Sequence, residues 1–181
     1  MLANLRALFT VVIDIVLLRR GPEQLPTSPV LLTIFIALYC AIAATVASAM
    51  GTVDSRLPVE MAVIVGATLL WYRVALQMAK KPERFTQTLT AIFATRALLA
   101  PVDLPVRLTV FSQMQANVQP SSLLAMLFLF LLVWQFVINV RIVRAAFEWP
   151  LPAAIIMIIG QEFAVLMVVA ALFGSAPAPT P

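Results

Sequence analysis

Residues 24–53 carry no charged side chain, and neither do residues 108–140. Charge-free runs of that length constrain this chain more than any other feature. A helix rises about 1.5 Å per residue, so about 20 apolar residues cross the roughly 30 Å hydrocarbon core of a bilayer. Composition points the same way. Of 181 residues, 62% are hydrophobic and 11% charged, with mean hydropathy +1.02. A soluble domain carries about 25% charged and about 45–50% apolar residues. Too little polar surface remains to clothe a water-soluble body. The chain therefore reads as an all-α integral membrane protein, a polytopic helical bundle.

Five spans account for the apolar sequence and together form one transmembrane domain over 29–174. "SPVLLTIFIALYCAIAATVASAM" gives the first, about 29–50, with Pro29 in its first turn. "GTVDSRLP" makes a short loop, and Pro58 opens the second span, about 58–79. Trp71, Tyr72 and Arg73 stand toward its end, as aromatic residues and snorkelling arginines do at an interface. The third, about 84–112, contains Pro101 and Pro105, which should break or kink it, since each lacks a backbone donor. A polar loop, "SQMQANVQPSS", precedes the fourth, about 121–141. The fifth runs about 150–174. The Pro/Ala-rich residues 175–181 form a disordered tail.

Residues 1–20 have an apolar run too short to span comfortably. Arg6, Thr10 and Asp14 recur every four residues and so share one helix face. An amphipathic helix lying in the interface fits best. The rivals are a short sixth span and a cleaved signal peptide. Against the signal stands the Arg19–Arg20 pair, where a small-residue cleavage site belongs.

The net charge of +4 speaks of topology rather than of nucleic acid. Arg19 and Arg20 precede span one, Lys80, Lys81 and Arg84 separate spans two and three, and Arg141 and Arg144 separate spans four and five. The opposite side has Arg56, with Arg107 near it. Basic residues collect on the cytoplasmic side. The N-terminus is then cytoplasmic and the C-terminus outside, across the inner membrane if the source is bacterial.

Two kinds of charge fall within the apolar sequence. Glu60, Asp103 and Arg107 lie near the outer boundary, and Asp103 and Arg107, four apart, are placed to pair on a regular helix. Arg96 and Glu162 are deeper. Counted from Phe85 and Pro150, which enter from the same face, they lie about 16 Å and about 18 Å inside. They have opposite sign and matching depth. An unpaired charge there costs at least about 2.5–3.5 kcal/mol on insertion scales. A glutamate escapes by protonating, but an arginine does not. Arg96 therefore needs a partner, and Glu162 is the best candidate, a lock between spans three and five. Gln161, Gln135 and Thr95 are placed to extend the network. The same pair is also what a proton or ion path would contain.

Other chemistry is thinly represented. There is no histidine and one cysteine, Cys40, which removes the commonest general base and the commonest metal ligand. No phosphate loop, nucleophile triad or paired catalytic carboxylates stands out, so no enzyme activity and no cofactor is expected. Small residues in span one (Ala41, Ala43, Ala44, Ala47, Ser48) and "GATLLW" in span two favour close helix packing.

The layout, together with "RFTQTLTAIFATRALLAP" entering the third span and "RRGPEQLPTSPVLL" before the first, resembles the Yip1-domain membrane proteins. The compact form is similar to their prokaryotic-type members. The resemblance implies a polytopic protein without catalysis and, in eukaryotic members, membrane trafficking, Rab GTPase binding and oligomerisation. This chain has only a short segment before span one. Of the family's Asp-Leu-Tyr-Gly-Pro motif it keeps only Gly21-Pro22, which counts against Rab binding. The expected function is a membrane scaffold or assembly partner, working through helix contacts with other membrane proteins or with itself. The alternative is a small transporter or channel subunit using Arg96 and Glu162.

Overall fold

The computed structural model describes residues 2–49 and 56–173. It contains six helices: α1 (Leu2–Val16), α2 (Pro29–Ala49), α3 (Leu57–Met78), α4 (Phe85–Gln115), α5 (Ser122–Phe147) and α6 (Leu151–Phe173). Short 3-10 turns at Pro22–Gln24 and Pro82–Arg84 link them, and the described residues include no strand. Helices α2 to α6 are each long and apolar enough to cross a membrane. The protein is an all-α, multi-pass membrane bundle. Residues 51–55 of the first loop, the outermost residues expected of spans one and five, and the 175–181 tail lie outside the described residues.

Local chemistry starts and stops the helices. Ser28 Oγ accepts from the Leu31 amide and Ser121 Oγ from the Leu124 amide, both at 3.3 Å, so two helix starts are capped by hydroxyls. Pro29 and Pro58 sit in first turns, where a missing amide proton costs nothing. α5 runs to Phe147, past the expected end near 141. Arg141 and Arg144 are polar but do not break a helix, and both project outward. The stop comes at Glu148, which takes the left-handed conformation (φ 57°), with Pro150 just beyond.

α4 is not broken at its two prolines, and it too runs past its expected end, near 112. It continues through Pro101 and Pro105 as one helix to Gln115. Membrane helices tolerate internal prolines where neighbours satisfy the backbone. The Thr109 hydroxyl adds a bond to the Pro105 carbonyl at 2.7 Å.

α4 is the axle of the bundle. Half of its apolar stretch is buried, against 11% to 22% in the other four spans. Residues Thr88 through Thr95 are buried without interruption. A helix enclosed on every side has nowhere to send its polar groups, so its threonines turn back on the backbone. Thr88 donates to the Arg84 carbonyl and Thr90 to the Thr86 carbonyl, each at 2.7 Å, and Thr95 to the Ile92 carbonyl at 3.0 Å. The most extensive helix pair is α2 with α4. Ala43 and Ala47 are the buried residues of α2, and α4 buries Ala91, Ala94, Ala97 and Ala100. Small side chains let two backbones approach closely.

The small residues of α3 behave differently from expectation. Space is open around Gly66, so it makes no close helix contact. The tight approach occurs instead at Gly160 of α6, where a Cβ would meet the Trp71 ring at 3.3 Å. α1 buries Val12, Ile15 and Val16 and packs along α4. Its polar face has the spacing read from the sequence: Arg6 and Thr10 are exposed, and Asp14 pairs with Arg20 at 3.0 Å.

Candidate functional site: the interior ion pairs and their cavity

Arg96 and Glu162 each stand eleven residues from the first residue of their helix, Phe85 and Leu151. Both are therefore about 16 Å from the same end of the bundle. The side chains meet: Arg96 Nη2 lies 3.3 Å from Glu162 Oε1. The two partners differ in setting. The Arg96 side chain is 14% exposed, that of Glu162 58%. The cation, which cannot shed its charge, is the enclosed member. About two to three turns further along α4, Arg107 Nε donates to Asp103 Oδ2 at 2.7 Å, an i,i+4 bond along the same helix.

The two pairs share one space. A cavity of about 450 Å³ is walled by all five spans, with Tyr39, Ile64, Arg96, Gln135 and Glu162 each contributed by a different helix. Asp103 and Arg107 also line it. They are thus part of an interior wall rather than only a boundary charge. Gln135 donates to Asn139 Oδ1 at 3.5 Å, a weak bond, and both face the same cavity. The wider network expected around Arg96 is incomplete. Thr95 spends its hydroxyl on Ile92, and Gln161 is buried but does not line the cavity. Glu60 is half-buried near the start of α3. Nothing in the sequence singles out Asn139 or Tyr39, and Tyr72, expected at the interface beside Trp71 and Arg73, is instead buried in the core. Only a helix's rotation about its axis decides which polar residue faces inward.

The basic residues gather at the opposite depth, where α4 and α6 begin and α3 and α5 end. Arg84 Nη1 donates to the carbonyls of Ala145 and Ala146 at 2.9 and 3.1 Å, and Nη2 reaches Glu148 Oε1 at 2.6 Å. Lys81 Nζ lies 2.5 Å from Glu148 Oε2. Arg84 therefore caps the C-terminus of α5, whose last carbonyls have no helical partner. Hydrogen bonds from Lys81 first, then Arg84, hold the Glu148 carboxyl below the usual carboxylate range. Gln87 donates to the Leu25 carbonyl at 2.9 Å and ties the linker after α1 to α4. The Arg73 guanidinium stands over the Phe85 ring, 5.4 Å from its centroid. Lys80 occupies a left-handed turn residue (φ 57°) after α3. Arg19, Arg20 and Arg141 line one small cavity, and Arg141 and Arg144 the next.

No cluster of histidine, cysteine and carboxylate among the described residues could hold a metal ion. Comparison with family models, with curated proteins and with solved structures finds no match to this chain.

Proposed function

We propose that this is a non-enzymatic, Yip1-like membrane protein, a scaffold or an assembly and trafficking partner that works through helix–helix contacts. Its basic end and N-terminus would face the cytoplasm, and its C-terminus the far side, in the inner membrane if the source is bacterial. One observation carries the proposal. The four charges along the interior wall are consumed in two pairs, Arg96–Glu162 and Asp103–Arg107, and leave no net charge to attract a solute. The first pair fastens α4 to α6, and the second neutralises its two charges within α4. The outward faces of α5 and α6 are left apolar, with Met126, Phe130, Ile156 and Phe163 exposed, surfaces that suit lipid or a partner helix.

A small transporter or channel subunit is the second reading, and the cavity favours it. A polar space at mid-depth beside a proline-containing helix is where transporters hold substrate. Crosslinking in the native membrane, followed by mass spectrometry of what co-purifies, tests the first proposal. A defined partner complex is the expected result. Self-crosslinked oligomers alone, together with a flux that vanishes in Arg96→Ala and Glu162→Ala proteins of unchanged stability, would replace it with the second.

A further inference from the structure

The arginines of the basic end do more than the topology of the chain requires. Arg19 and Arg20, on the linker after α1, meet Arg141 of α5 around a cavity of about 260 Å³. Its one acidic lining residue is Glu23. Arg141 also borders a second cavity, about 410 Å³, with Arg144, Glu148 and Trp149. Arg19, Arg141 and Arg144 form no ion pair with a described carboxylate, and Arg20 reaches Asp14 through Nε. Glu148 is already held by Lys81 and Arg84. The two neighbouring cavities, which share Arg141 and Ala145 as lining residues, therefore present unspent guanidinium donors and an excess of positive charge.

Their height in the bundle narrows the ligand. Arg141 stands nineteen residues from Ser122, where α5 begins. That is about 28 Å of helix, close to the roughly 30 Å hydrocarbon core. Arg141 and Arg144 thus emerge where lipid headgroups lie. Trp149, packed on Phe147 with ring centroids 4.6 Å apart, supplies the aromatic body common at that level. Guanidinium groups match phosphate oxygens in pairs, and basic pockets between spans suit anionic headgroups.

We propose that these neighbouring cavities bind the phosphate of an anionic phospholipid, with Arg141 lining both and Arg19, Arg20 and Arg144 around it. Net positive charge alone would orient the chain; three arginines around one cavity and two around its neighbour, with Arg141 in both, give a site.

The test uses the full chain in nanodiscs of phosphatidylcholine mixed with phosphatidylglycerol, and native mass spectrometry of the lipids it retains. Wild type should retain phosphatidylglycerol preferentially. The preference should fall about fivefold with each arginine removed, in Arg141→Gln and in Arg144→Gln. Arg19→Gln, off the spans, repeats the test without touching α5. Arg141→Lys keeps the charge that sets topology and should still lose part of the preference, because it loses the paired donors. Equal retention of both lipids by wild type would overturn the proposal, as would an unchanged preference in all the variants. So would glycerol 3-phosphate raising the melting temperature of the detergent-solubilised protein as much as phosphatidylglycerol does, which would make the ligand a soluble phosphate.

Discussion

Two ion-pair systems hold this bundle, and they work in opposite surroundings. Arg96–Glu162 joins α4 to α6 deep among the spans, with the arginine enclosed. Lys81 and Arg84 clasp Glu148 at the basic end, where the carboxylate is open to solvent. The geometry at the end is the tighter, 2.5 and 2.6 Å against 3.3 Å. Strength does not follow distance here. An exposed pair is screened and contributes little, whereas breaking an enclosed one strands a charge where water cannot reach it. The interior pair matters for what its absence would leave behind. The end network matters mostly through the helix carbonyls that Arg84 caps.

The largest effect should come from Glu162→Ala. It leaves Arg96 without a partner, and the protein should lose about 3 kcal/mol in denaturant-titrated unfolding from bilayer-like micelles. Arg96→Ala should cost less, because the Glu162 side chain it leaves alone is far more open, 58% exposed against 14% for Arg96. Equal losses would mean that Arg96 finds other company and would weaken the contrast.

Arg84→Ala should come next. It orphans the Ala145 and Ala146 carbonyls at the end of α5, and the two lost bonds should cost about 1–2 kcal/mol in the same unfolding measurement. A smaller loss would show that water caps the helix as well as the side chain does.

Smaller still are the responses of Glu148 to salt and acid. At about 1 M salt the Debye length is about 3 Å, so the stability gap between wild type and Glu148→Gln should narrow, while the gap for Glu162→Ala should hold. Because the Glu148 carboxyl is depressed in the folded protein, its contribution is complete above the ordinary carboxylate value. It should fade as pH falls through and below that value. A gap that widened in acid would contradict the assigned bonds.

Some of this could be read from sequence, and the reason is geometric. Depth along a helix follows from counting residues, so the matched positions of Arg96 and Glu162 were accessible once the span entrances at Phe85 and Leu151 had been placed within a residue. The Asp103–Arg107 bond needed only a regular turn. The clasp on Glu148 was out of reach, because it joins residues more than sixty positions apart through a side chain with no sequence signature. Rotation was equally hidden. Gly66 and Gly160 look alike in sequence, but only Gly160 faces a ring. The shared cavity depends on the rotation of five helices at once, so neither Asn139 nor Tyr39 could have been chosen over its neighbours.

A double-mutant cycle on Arg96 and Glu162, followed by unfolding in a bilayer-like medium, tests the central claim most directly. If the pair locks α4 to α6, removing Glu162 should cost much less once Arg96 is already alanine, and the double variant should be milder than Glu162→Ala alone. Strictly additive losses would mean that the two charges do not act together, and the lock would have to be abandoned.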